Sequence, residues 1–96
     1  MSEAQLTRHV NNWLRVQTNV WHYKVSDRYK KGIPDIIACV NGIFVGIELK
    51  ASNGTPSPHQ LQRIKSIVDA GGIAMVCYSL EDVKKLVDEA IAKSCG

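Results

Sequence analysis

Gly32-Ile33-Pro34-Asp35-Ile36-Ile37-Ala38-Cys39-Val40-Asn41-Gly42-Ile43-Phe44-Val45-Gly46-Ile47-Glu48-Leu49-Lys50 decides the fold of this chain. Two apolar runs are separated only by Asn41-Gly42, the pair best suited to a two-residue hairpin turn, whose central positions both need positive φ. The stretch therefore reads as strands Asp35 to Val40 and Ile43 to Lys50, paired antiparallel. Side chains alternate across a strand. Ile43, Val45, Ile47 and Leu49 share one face, and Phe44, Gly46, Glu48 and Lys50 share the other. Pro34 lacks an N–H and suits the beginning of a strand. Counted outward from the turn, the two strands are of similar length, so Asp35 and Glu48 converge at one end. Gly46 is expected to leave space beside Glu48 and Lys50.

Working outward, Ser2 to Gln17 reads as a helix, with Leu6, Val10, Trp13 and Leu14 at helical spacing. Ser2 and Gln5 form a capping box. Glu3 falls on the stripe of Leu6, Val10 and Trp13, so it is expected to face inward, either as a favoured first-turn acid or aimed into a site. Val20 to Val25 alternates as a strand, with Trp21, Tyr23 and Val25 opposite His22 and Lys24. Ser26 to Ile33 is a polar, basic loop, and Ala51 to Pro56 another. Ser57 caps a second helix with Pro58 at its first position and Gln60 completing the box; Leu61, Ile64, Ile67 and Val68 are its apolar face, and Gly71-Gly72 ends it. Ile73 to Tyr78 is a fourth strand. Ser79 caps a last helix carrying Leu80, Val83, Leu86, Val87 and Ile91 on one stripe. The order α-β-β-β-α-β-α predicts an α/β (mixed α+β) domain, residues 1–96, with one mixed sheet flanked by helices.

The 96 residues, 45% hydrophobic and 22% charged, suit a single soluble domain. No apolar run nears the roughly 20 residues that cross a bilayer, and the polar start carries an acid, which argues against a signal peptide. Cys39, Cys77 and Cys95 are odd in number and lack metal spacing, pointing to a reducing cytoplasm and no zinc site. The net charge of +3 permits nucleic acid without requiring it. Lys24, Arg28, Lys30 and Lys31 precede Pro34-Asp35: a solvated basic loop, or one that draws a polyanion to a negative site.

Asp35, Glu48 and Lys50 are the equipment for holding a hard divalent cation beside a phosphodiester and activating water against it. The Leu49 carbonyl is a further oxygen ligand, and Lys50 is placed to orient water or neutralise charge developing on phosphorus. The plain structural alternative is a polar sheet face with a cross-strand ion pair. Gln60 has two readings, a capping residue or a contact to water or phosphate. His9, His22 and His59 show no ligand spacing.

Gly32-x-Pro34-Asp35, Glu48-x-Lys50 and Ser57-x-x-Gln60, preceded by a helix carrying Glu3, resemble the virus-type replication-repair nuclease (VRR-NUC) domain, a branch of the PD-(D/E)XK superfamily. The resemblance covers nearly the whole chain. It implies a restriction-endonuclease-like core and magnesium- or manganese-dependent hydrolysis of DNA phosphodiesters, the metal held by Asp35, Glu48 and the Leu49 carbonyl. It also implies Glu3 as an additional acid at the metal site, Lys50 as the catalytic lysine and Gln60 as a supporting residue. Stand-alone members are similar to small dimeric resolvases, so a homodimer cutting four-way (Holliday) junctions is expected. Trp13, Trp21 and Tyr23 suit either an interface or the core, Trp13 the core by its helical phase. Other expectations keep the chemistry on flaps, nicked or single-stranded DNA, keep the fold as a non-catalytic nucleic-acid-binding module, or reduce it to a small interaction protein.

Overall fold

The computed structural model describes residues 1–26 and 31–96. Its elements are α1 (Glu3–Arg15), β1 (Val20–Lys24), β2 (Ile36–Val40), β3 (Ile43–Leu49), α2 (Pro58–Asp69), β4 (Ile73–Cys77) and α3 (Leu80–Cys95). The expected order holds, with ends displaced by a residue or two where terminal hydrogen bonds lapse. Asp35 accordingly sits one residue ahead of β2 instead of opening it.

The sheet runs β1-β2-β3-β4. The first three strands pair antiparallel and β3 with β4 parallel, which requires the α2 crossover between them. Asn41 (φ 50°) and Gly42 (φ 84°) make the hairpin turn. The capping boxes of Ser2 with Gln5 and Ser57 with Gln60 both form, satisfying N–H groups that the first helical turn leaves free.

One sheet face carries the core: Ile36, Ala38 and Val40, then Val45, Ile47 and Leu49, closed by Leu6, Val10 and Leu14 of α1 and Val83, Leu86, Val87 and Ala90 of α3. Each large side chain so buried contributes about 1.5–3 kcal/mol. Trp13 packs partly against this core, with the Lys84 ammonium 5.8 Å from its ring centroid. Cys77 is buried, while Cys39 and Cys95 are exposed.

The opposite face is covered only in part. A side chain at Gly46 would stand 3.0 Å from Ile67 Cδ1 and 3.1 Å from Pro34 Cγ, so α2 and Pro34 occupy the space expected beside Glu48. A methyl there would require Ile67 and Pro34 to give way by a few tenths of an ångström. Ile64 and Ile67 are half-buried, but Leu61 and Val68 of the same stripe are exposed. Trp21 and Tyr23, at the edge beyond the reach of α2, are exposed too. Among the described residues no helix is long and apolar enough to cross a membrane.

Candidate active site

Strand register brings the two carboxylates together. Ile36 pairs with Ile47, so the next rung outward sets Asp35 opposite Glu48. Asp35 is fixed twice: its Oδ2 accepts the Leu49 N–H at 2.8 Å and its carbonyl accepts the Val25 N–H at 2.8 Å. The side-chain bond replaces the strand pairing that ends at β2.

Glu48 is only 1% exposed. Its Oε2 accepts from Gln60 Nε2 at 2.8 Å and lies 3.8 Å from Lys50 Nζ. Its Oε1 is buried and accepts no hydrogen bond; a bond to Asp35 is open to Glu48 only when one of the two carboxyls carries a proton. Burial above all, then the charge of Asp35 and a hydrogen bond shared with it, pushes the Glu48 carboxyl up to about 8; the Lys50 charge opposes this and Glu3 adds a small push upward. A buried carboxyl so far from its usual range marks a candidate functional position.

Two glycines shape the surroundings. Gly32 has φ +84°, and a side chain on it would stand 2.4 Å from the His59 carbonyl oxygen and 2.9 Å from the Gln60 nitrogen. The Gly32-Ile33-Pro34-Asp35 segment thus lies directly on the first turn of α2, and Gln60 is delivered to Glu48 through that contact. Gly54, whose N–H donates to the Ala51 carbonyl at 2.8 Å, brings the loop after β3 against the stem of Lys50.

Gln60 unites its two expected roles. Its Oε1 accepts the Ser57 N–H at 2.7 Å while its Nε2 donates to Glu48. Glu3 does not face inward as expected. It is exposed, and it lines a cavity of about 460 Å³ with Ala4, Thr7, Lys24 and Asp35. A first-turn position is too near the helix end for the core to cover it. Lys31 is exposed, and its carbonyl lies 3.4 Å from Arg63 Nε; Arg28 and Lys30 lie outside the described residues. Ala4, Thr7 and Arg63 were not singled out by sequence. Their only signal is a helical position facing Asp35 or Lys31, invisible before the fold is known.

Among the described residues no three His, Cys, Asp or Glu side chains gather closely enough to hold a metal ion. The near donors are therefore Asp35 and Glu48, with Glu3 farther along the cavity wall. That set fits magnesium or manganese, which bind through one or two carboxylates and keep several waters. The partnerless Glu48 Oε1 is the oxygen such a cation would engage. His9 and His59 are exposed, and His22 is half-buried.

Two solved structures share this fold. One, described as "VRR_NUC domain", superposes with a TM-score of 0.74 at 24% identity, over 90% of this chain and 94% of its own. The other, a "VRR_NUC domain protein", gives a TM-score of 0.74 at 22% identity, over 97% of this chain and 90% of its own. No family model and no curated protein matches the chain.

Proposed function

We propose that this chain is a nuclease of the VRR-NUC family that hydrolyses DNA phosphodiesters with magnesium or manganese, in the manner of the PD-(D/E)XK enzymes. The observation that carries the reading is Glu48: nearly inaccessible, opposite Asp35, held by Gln60 and Lys50, with one oxygen lacking any partner. Ionised and without a cation, that oxygen would cost about 1–3 kcal/mol as an unpaired buried acceptor, a cost a bound cation would offset. The shared fold with VRR_NUC structures supports the same reading.

A bound divalent cation would supply a polarised phosphate and a more acidic water. Asp35 and Glu48 would hold it, joined by the Leu49 carbonyl, with Glu3 as the further acid on the cavity wall. Leu49 N–H fixes the rotamer of Asp35, and Gln60 fixes that of Glu48. Lys50, positively charged and beside Glu48, orients the attacking water or neutralises charge on phosphorus. Lys24, on the cavity wall, and Lys31 attract the backbone, and we extend this to Arg28 and Lys30 of the same loop.

We further read the protein as a homodimer acting on four-way junctions, because paired symmetric nicks need two sites related by a two-fold axis. The exposed Leu61 and Val68 of α2 are apolar surface that a second copy could cover. Three free cysteines suit a reducing cytoplasm. The test is incubation with end-labelled junction, duplex, flap and single-stranded DNA, with and without magnesium or manganese. Metal-dependent paired nicks confined to the junction are expected. Cutting of other structures removes the junction preference, and binding without cutting anywhere leaves a non-catalytic nucleic-acid-binding module.

A further inference from the structure

We propose that Trp21 and Tyr23 form a stacking platform for unpaired nucleobases, so that the preferred substrate carries single-stranded nucleotides next to the scissile phosphate. The inference rests on the nuclease reading for the identity of its ligand as DNA.

Trp21 and Tyr23 lie two residues apart on β1 and therefore share a face. They are 59% and 57% exposed, an unusual state for large rings on a sheet. Their planes are 5° from parallel, with centroids 6.3 Å apart. Two rings held parallel on a rigid strand present π-faces at low entropic cost, and bases of any sequence can stack on such faces.

Position decides the occupant. Tyr23 is in register with Ile37, two residues from Asp35, or about 7 Å along the strand at the usual rise. Trp21, in register with Cys39, lies about 7 Å farther from the site. Lys24, the residue after Tyr23, lines the cavity that contains Asp35. A strand whose phosphate sits at Asp35 would pass Tyr23 and then Trp21 along the same sheet face as it leaves, while Lys24 projects from the other face of β1 into the cavity. The platform is continuous with the Asp35–Glu48 rung along one sheet face, so a nucleic-acid strand held at that rung would run over the rings.

Paired bases inside a duplex are stacked on both faces and cannot offer one to these rings without opening. The platform thus selects for flaps, splayed arms or the open centre of a junction over intact duplex.

The test uses the full chain with metal chelated, so that binding is read without turnover. Fluorescein-labelled oligo(dT) of 15 nucleotides and a blunt duplex of equal length are titrated by anisotropy. Trp21→Ala and Tyr23→Ala should each weaken oligo(dT) binding about ten-fold, the size of one lost base stack. Duplex binding should change less than about two-fold, and Trp21→Phe should restore most of the loss. Both side chains are exposed, so circular dichroism should show an unchanged fold. Oligo(dT) affinity that is unaltered in Trp21→Ala and Tyr23→Ala overturns the proposal. So does a dimer-to-monomer shift on sedimentation with oligo(dT) affinity intact, which would assign the patch to a second copy. Ring-dependent oligo(dT) binding in a protein that cuts no DNA would uphold the platform while removing the nuclease reading.

Discussion

The Gln60 carboxamide closes the first turn of α2 with its oxygen and holds the buried Glu48 carboxylate with its nitrogen, at 2.7 Å and 2.8 Å. One planar group thereby couples the start of a helix to the acid at the centre of the site. Because Oε1 is committed to the Ser57 N–H, the amide cannot flip without losing the cap, and Nε2 is left to face Glu48. The cap is what makes Gln60 a reliable donor.

Removing the two functions separately should separate their effects. Ser57→Ala loses the hydroxyl half of the box, worth about 1 kcal/mol, and leaves Gln60 able to reach Glu48. Gln60→Ala loses both. Thermal unfolding should show the larger loss in Gln60→Ala, by about 1–3 kcal/mol for a buried Glu48 oxygen left without its donor. Cleavage should fall at least about ten-fold further in Gln60→Ala, chiefly in kcat with magnesium saturating, because a freed Glu48 no longer presents its oxygen. Equal activity at equal stability would reduce Gln60 to a cap.

Lys50 invites the sharpest test of the chemistry. Its side chain is partly exposed, its stem lies against Gly54, and its ammonium is 3.8 Å from Glu48. Nothing in the core depends on it. Lys50→Ala should therefore fold and bind a four-way junction as the parent does. Cleavage should drop by about 10²–10³-fold or more, as for loss of a charge-stabilising group at a reacting phosphate. Retained cleavage would remove Lys50 from the site.

The hairpin and the Asp35–Glu48 rung were legible because Asn41-Gly42 fixes the register and period two fixes the faces. Capping chemistry likewise gave the starts of α1 and α2. What alternation cannot tell is which face another element covers. Trp21 and Tyr23 were correctly grouped on one side of β1, yet that side is open because α2 reaches only β3 and β4. Gly46 looked like a vacancy and is a seat for Ile67 and Pro34. Glu3 was in helical phase with the core, but a stripe says nothing about where along the helix cover ends. The Gln60 cap bond to Ser57 is local and was legible, but its bond to Glu48 depends on where α2 sits against the sheet, a tertiary contact no local pattern encodes.

Glu48 gives the metal-free protein a pH signature. Its folded-state value, about 8, lies above the ordinary 4.5. The sign follows: the folded state binds the extra proton, so this contribution is fully present below about 4.5 and is lost as pH rises through about 8. With metal chelated, the melting temperature should fall by more than about 5 °C between those limits. Glu48→Gln should flatten the profile. Added manganese should raise the melting temperature of the parent most at the alkaline end, where the site is deprotonated. A profile identical in parent and Glu48→Gln would mean that Glu48 titrates normally.

Gly32 and Gly42 both have φ +84°, but their surroundings differ, and comparing them isolates a positional effect on catalysis. At Gly42 a side chain would meet nothing within 4 Å, so Gly42→Ala should cost only the left-handed backbone penalty, about 1 kcal/mol. At Gly32 the same methyl would stand 2.4 Å from the His59 carbonyl oxygen, and backbone on both sides must separate. The segment that moves is the one carrying Asp35, and the turn that moves is the one carrying Gln60. Gly32→Ala should therefore lose more stability than Gly42→Ala, by about 1–3 kcal/mol in urea unfolding. It should also lose cleavage by at least about ten-fold when assayed well below its midpoint, since Asp35 and Gln60 no longer converge on Glu48. Gly42→Ala, on the far side of the hairpin, should cut DNA at the parental rate. Equal loss in both variants would show that Gly32 serves only backbone conformation and that its contact with α2 does not position the site.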